Sequence, residues 1–142
     1  MPVESLPELT PEELERSARQ WMLPEIGLEG QRRLQAASVL VAGVGGLGSA
    51  SALYLAAAGV GRIGLVDGDV VGLSNLQRQV IHGVEALGEA KVESARRRLR
   101  TLNPALRVDV FPAFLSAENA ATIAAPYDLL LDGTDNFATR YL

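Results

Sequence analysis

The chain has 142 residues, is 48% hydrophobic and 21% charged, and carries a formal net charge of −4. That is one domain's worth of ordinary globular sequence, and its acidic balance argues against general affinity for nucleic acid or anionic membranes. With no cysteine, disulfides, a cysteine nucleophile and a Cys-ligated zinc are excluded within this chain. No apolar stretch reaches transmembrane length and no signal-peptide pattern opens the chain, so a soluble cytoplasmic protein is the default expectation. No internal repeat stands out.

Residues 1–10 are acidic and punctuated by proline, and read as a loose N-terminal arm. Thr10-Pro11-Glu12-Glu13 then starts a helix, with Thr as N-cap, Pro at N1 and Glu at N3. The helix is expected over 11–20. Arg16 and Arg19 lie close to Trp21, as a solvated basic face beside one anchoring aromatic. Residues 28–37 read as a second short helix.

Residues 38–67 organise the rest. Val39, Leu40 and Val41 form a short apolar strand. Gly43, Gly45 and Gly48 follow in G-x-G-x-x-G spacing, and small or apolar residues 49–58 suit a helix packed tightly on a sheet. Gly59-Val60-Gly61 stops that helix. Ile63 to Val66 form a second strand ending in Asp67, 19 residues past Gly48. The first glycine permits a tight turn, the second lets N–H groups approach a phosphate, and the third lets helix and strand pack closely. An acid closing the second strand suits ribose hydroxyls. A turn that only packs a helix on a sheet would use the same glycines.

A long irregular stretch, residues 68–88, leaves the carboxyl end of the second strand, where ligands bind in open α/β sheets. Loops of this length in compact domains are usually functional. It holds Ser74, Asn75, Gln77, Arg78 and Gln79, a dense set of donors that reads either as a polar surface or as a phosphate lining. Arg78 has the fork of N–H groups that clamps phosphate. His82, the only histidine, reads as structural.

Residues 89–102 form an amphipathic helix with Val92, Ala95, Leu99 and Leu102 on its buried face and Arg96, Arg97, Arg98 and Arg100 on the wet one. Lys91 sits in the first turn, where the helix dipole disfavours a cation. That placement hints at a nearby anion. A third strand at 106–111 alternates Leu106, Val108 and Val110 with Arg107 and Asp109, which implies one wet face or an edge position. Residues 116–125 form a short helix. Leu129 to Leu131 form a fourth strand, followed by Asp132-Gly133-Thr134-Asp135-Asn136. The fold expected is α/β: a Rossmann-like, doubly wound parallel sheet in the order 3-2-1-4, with Asp135 near the glycine turn at the topological switch point. Asp135 reads as a helix N-cap or as a magnesium ligand beside a triphosphate.

In this order and spacing, GVGGLGS, VDGDVV, LSNLQRQV, KVESA, LNP and DGTDN resemble the adenylation domain of the ThiF/MoeB-type family, which includes the ubiquitin-activating enzymes. The resemblance covers the chain from about Arg16 to Leu142. It implies an N-terminal portion, residues 11–142, of an ATP-binding adenylation domain. By resemblance, Gly43, Gly45, Gly46 and Asp67 bind ATP, with Asp67 at the ribose. Ser74, Asn75, Leu76, Gln77 and Arg78 line the phosphates, and Lys91 contacts them too. Asp135 holds Mg²⁺ with Asn136 beside it. Arg19 reaches the neighbouring subunit's site, which implies a homodimer.

The implied reaction is adenylation of the C-terminal carboxylate of a ubiquitin-like sulfur-carrier protein ending in Gly-Gly, of the molybdopterin or thiamine type, with release of pyrophosphate. The family's domain continues further, so the sheet is expected to be truncated before its remaining strands. The fourth strand reads as buried on both faces, with its outer edge left open to association. Two alternatives share the glycine turn and Asp67: an NAD-dependent oxidoreductase and a non-catalytic nucleotide-binding remnant. The oxidoreductase has no evident use for Arg78, Lys91 and Asp135 together.

Overall fold

In a computed structural model of the chain, the structure describes residues 5–135. Helices α1 (Pro11–Arg16), α2 (Ala18–Trp21) and α3 (Gly27–Ala36) precede strand β1 (Ser38–Ala42). Then come α4 (Gly46–Ala58), β2 (Arg62–Val66), α5 (Lys91–Leu102), β3 (Arg107–Phe111), α6 (Ala120–Ala124) and β4 (Leu129–Asp132). The four strands form one parallel sheet in the order β3-β2-β1-β4, as expected.

The Thr10 capping box forms: Glu13 N–H donates to Thr10 Oγ1 at 3.2 Å, and Thr10 N–H donates to Glu13 Oε2 at 2.8 Å. The single helix expected over 11–20 is broken at Ser17. Ser17 is buried, and its hydroxyl donates back to the Glu13 carbonyl at 2.6 Å, the local bond by which serine competes with helical continuation. Leu6 is also buried, and Arg32 donates to the Leu6 and Pro7 carbonyls at 2.7 and 2.9 Å. Residues 6–8, within the stretch read as an arm, are therefore tied to α3.

Alternation along the strands divides the core between the two faces of the sheet. On one face, Val39, Val41, Ile63 and Leu65 pack with Ala52 and Ala56 of α4 and with Val92, Ala95 and Leu99 of α5. On the other, Leu40, Ala42 and Val66 meet Phe111, Leu115, Ile123 and Tyr127. Gly64 of β2 lies directly beneath the Tyr127 ring. The same ring is locked from the side. Arg62 Nε and Tyr127 Oη both donate to Asp109 Oδ2, at 2.7 and 2.9 Å, and the Arg62 guanidinium stands 4.6 Å from the ring centroid.

β4 differs from expectation. Leu129 and Leu130 are 64% and 50% exposed rather than buried on both faces. Among the described residues β4 pairs with β1 alone, so nothing described covers that edge. Leu131 does pack against the core. Phe137 and Tyr141, read as an apolar face after this strand, lie outside the described residues.

Candidate nucleotide site

The carboxyl ends of β1 and β2 deliver the chain into a tight set of turns. Gly43 has φ 83, a left-handed conformation that glycine adopts without strain. A Cβ on Gly48 would fall onto the Gly43 carbonyl, so the third glycine is needed for the close approach of α4 to the turn. The hydrogen-bond ladder of α4 begins with Ser49 N–H to the Gly45 carbonyl at 2.9 Å. The N–H groups of Gly46, Leu47 and Gly48 precede that bond, as the leading donors of a helix do. They lie at the positive end of the helix dipole.

Asp67 braces this turn. It is buried at 9% exposure, and its Oδ2 accepts from Val44 N–H at 2.8 Å while Oδ1 accepts from Asp69 N–H at 2.8 Å. Each carboxylate oxygen keeps a lone pair for a further donor. His82 braces the same residue from the other side. Its Nε2 is 3.1 Å from the Val44 carbonyl and its Nδ1 is 2.9 Å from Ser94 Oγ. A carbonyl can only accept, so Nε2 carries the proton and Nδ1 accepts from the serine hydroxyl. Burial first, and the charge of Lys91 behind it, hold the His82 pKa below the usual histidine range against the pull of the Val44 carbonyl. The structural role read for His82 is what the geometry shows.

A cleft of about 510 Å³ opens at the carboxyl ends of the strands. Gly43, Gly45, Gly46, Asp67, Asn75, Arg78, Lys91 and Asp135 all line it, so residues far apart in sequence converge on one space. Ser74, Leu76 and Gln77 do not line it; the Ser74 carbonyl instead accepts from Arg78 Nη1 at 3.1 Å. Asn75 Oδ1 accepts from Gly72 N–H at 2.9 Å, which folds the loop back on itself. Arg19 is exposed on α2 and does not line the cleft of its own chain. Asn136 lies outside the described residues. Gly133 N–H donates to the Ala42 carbonyl at 2.7 Å, which joins the segment before Asp135 to the glycine turn at the end of β1.

Phe114 and Asp69 escaped the sequence reading, and the burial of Gln79 did too. Phe114 is 65% exposed, and its ring lies over Gly68 at the mouth of the cleft. Gln79, named there only as one donor among several, is buried at 3% exposure in the cleft wall. Asp69 Oδ2 accepts from Lys91 Nζ at 3.1 Å, and the lysine side chain is 8% exposed. The anion hinted at by a cation in the first turn of α5 thus lies within the chain. A second cavity, about 290 Å³, lies at the opposite end of the sheet beside Gln31, Gln35 and Gly61. It shares no residue with the glycine turn.

The donor set suits a hard cation. Asp135 offers only oxygen, and among the described residues no three metal-binding side chains gather closely enough to hold an ion alone. Magnesium is commonly held in that way, by one or two carboxylates together with substrate phosphates.

A parallel sheet in this order, with its cleft at the β1/β4 switch point, defines a Rossmann-like α/β domain. The chain belongs to the ThiF family, whose model matches residues 17–142. It is 54% identical over 140 residues to a probable adenylyltransferase/sulfurtransferase MoeZ of Mycobacterium tuberculosis, covering 99% of this chain and 36% of that protein. It is also 54% identical over 133 residues to a sulfur carrier protein adenylyltransferase of Thermus thermophilus, covering 94% and 49% respectively. Among solved structures, Escherichia coli tRNA N6-threonylcarbamoyladenosine dehydratase TcdA in complex with ATP superposes with a TM-score of 0.86 at 30% identity, over 92% of this chain and 53% of that one. The chain therefore spans between about a third and a half of the length of these relatives. Among the described residues, no helix is long and apolar enough to cross a membrane.

Proposed function

We propose that this chain is the ATP-binding part of an adenylyltransferase that activates the C-terminal carboxylate of a ubiquitin-like sulfur-carrier protein ending in Gly-Gly. The observation that carries the reading is the convergence of Asp67, Arg78, Lys91 and Asp135 on one cleft beside the glycine turn. The names of the 54%-identical relatives support adenylation of a sulfur carrier over the oxidoreductase alternative. The tRNA-directed dehydratase is a more distant likeness, at 30% identity.

In this reading the phosphates of ATP lie against the backbone N–H groups of Gly45 and Gly46, where the chain enters α4, and the ribose hydroxyls donate to Asp67. The exposed ring of Phe114 offers an apolar face to the base. Arg78 and Lys91 carry the charge of the phosphates, with Ser74 to Gln77 shaping the loop from which Arg78 projects. The carrier carboxylate attacks the α-phosphorus, the bond to the bridging oxygen of the β-phosphate breaks, and pyrophosphate leaves with that electron pair. No general base is required, because a carboxylate is ionised at neutral pH. Catalysis then rests on orientation and on neutralising charge at the leaving group. Asp135, with Asn136 beside it, would hold Mg²⁺, which supplies further charge neutralisation for the phosphates.

A homodimer belongs to the same reading. Arg19 is exposed and does not line its own cleft, as suits a residue given to the site of a second copy. We place the protein in the cytoplasm and its carrier in molybdopterin or thiamine synthesis. Calorimetry with Mg-ATP and with NAD, followed by carrier-dependent ATP–pyrophosphate exchange, tests the proposal. Tight NAD binding with no ATP binding would overturn it, and ATP binding without exchange would leave only the non-catalytic reading.

A further inference from the structure

We infer that Asp69 is the positioning residue for Lys91, holding its ammonium at the cleft wall before the nucleotide arrives. The inference rests on the ATP reading of the cleft. Lys91 is the only lysine among the thirteen basic residues of the chain. It begins α5, where the dipole opposes a cation, and its side chain is 8% exposed. A buried ammonium needs an anion, and among the described residues its one ion pair is with Asp69 Oδ2, at 3.1 Å.

The main chain already holds these two residues together. Lys91 N–H donates to the Asp69 carbonyl at 3.0 Å, Val71 N–H donates to the Glu89 carbonyl at 2.9 Å, and Val70 and Ala90 form an antiparallel bridge. Asp69 N–H donates to Asp67 Oδ1 at 2.8 Å. The backbone therefore runs from the ribose-side acid to the phosphate-side lysine without using the Asp69 carboxylate. That carboxylate is 57% exposed, while the lysine side chain it meets is 8% exposed, so the pair lies at the boundary between protein and water. It also lines a cleft proposed to take a polyanion, where a spare negative charge is a cost unless it serves another group. What it supplies is aim. A lysine stem is flexible and its head is a point charge with three donors, so one N–H fixed on Asp69 leaves two for phosphate oxygens.

The test uses Asp69→Asn, Asp69→Glu and Lys91→Ala in the full 142-residue chain. Because there is one lysine, ¹³Cε-lysine labelling gives one ε-methylene signal. Without nucleotide, Asp69→Asn is expected to move that signal toward the position of a free lysine side chain. In carrier-dependent pyrophosphate exchange it should lower kcat about ten- to a hundredfold, the scale of a misplaced catalytic group, with KM for ATP changed less than about twofold. Asp69→Glu should recover part of the loss, and Asp69→Asn should add nothing in the Lys91→Ala background. An unmoved NMR signal, an unchanged kcat, a rise in KM alone, or a full effect in the Lys91→Ala background would each overturn the inference. If the parent chain binds no ATP, the functional reading fails while the NMR signal still decides whether Asp69 fixes Lys91.

Discussion

The imidazole of His82 and the carbonyl of Val44, 38 positions apart in the chain, meet at 3.1 Å. Val44 is thereby held at both ends, its N–H on Asp67 and its carbonyl on His82. Burial of the imidazole, against the pull of this bond, makes the fold sensitive to pH. His82 titrates below its ordinary value of 6.5 in the fold, so between the two pKa values the unfolded chain binds more protons. Stability then rises with pH: the contribution is complete above about 6.5 and is lost as pH falls through the depressed folded value. Thermal unfolding of the parent should drop between pH 7.5 and 5.5. His82→Gln, which can still donate to Val44, should show a flatter profile over that window. An equally steep profile in the variant would remove His82 as the cause.

Tyr127 should be visible as a titrating group of its own. Burial first, and the bond to the Asp109 carboxylate second, push its phenol up to about 12. The phenolate absorbance of the parent minus that of Tyr127→Phe should therefore have its midpoint near 12. Because the folded value lies above the ordinary 10.0, the group's contribution is complete below 10 and lost as pH rises toward 12. A midpoint near 10 would mean that the Arg62–Asp109–Tyr127 lock is open in solution.

Two glycines should fail in different ways. A Cβ on Gly64 would stand 2.8 Å from Tyr127 Cε1, so Gly64→Ala overpacks a side chain. It should cost about 1–3 kcal/mol of stability in denaturant unfolding, and much less in a Tyr127→Ala background. At Gly48 the obstacle is the Gly43 carbonyl, which is backbone and cannot rotate away. Gly48→Ala should deform the turn and abolish ATP binding by calorimetry even where the sheet remains folded by circular dichroism. Normal ATP affinity in that variant would separate the glycine turn from the nucleotide.

Asp135 separates the two readings that its position left open. Asparagine caps a helix about as well as aspartate does. If Asp135 serves the metal, Asp135→Asn should cut pyrophosphate exchange by about a hundredfold or more, with an unchanged melting temperature. If it is only a cap, exchange should stay near the parent rate. Arg78→Ala and Lys91→Ala should depress exchange more than ATP binding.

Strand order was legible because Arg107 and Asp109 alternate with Val108 and Val110, as a strand with one wet face or an edge position does, while β1 and β2 carry no charged or polar side chain after Ser38 and Arg62. The glycine turn was legible because Gly43 takes a left-handed φ and a Cβ on Gly48 would meet the Gly43 carbonyl, both within one short motif. The break at Ser17 was not, since it depends on one hydroxyl bonding back to Glu13 rather than on any change in hydrophobic period. Asp69 was missed for a different reason. Its partner lies 22 residues away, and the two are brought together by an isolated antiparallel bridge that leaves no pattern in either segment. The signal was present on the other side of the pair: a lysine at the wrong end of a helix marks an anion, and a search for one among the acids near Asp67 would have found it. Phe114 gave no signal, being one apolar residue in a loop.

The solitary lysine has a chemical consequence for the surface. Mixed acyl-phosphate anhydrides acylate free amines and thiols, whereas guanidinium groups stay protonated and do not react. This chain has no thiol, its one ε-amine is ion-paired inside the cleft, its one imidazole is buried, and its other basic side chains are arginines. An activated carboxylate escaping the proposed reaction would find no lysine or cysteine on the exterior to modify. Intact-mass spectrometry after prolonged turnover should accordingly show no side-chain adduct on the parent, and should show one when the exposed Arg98 is replaced by lysine.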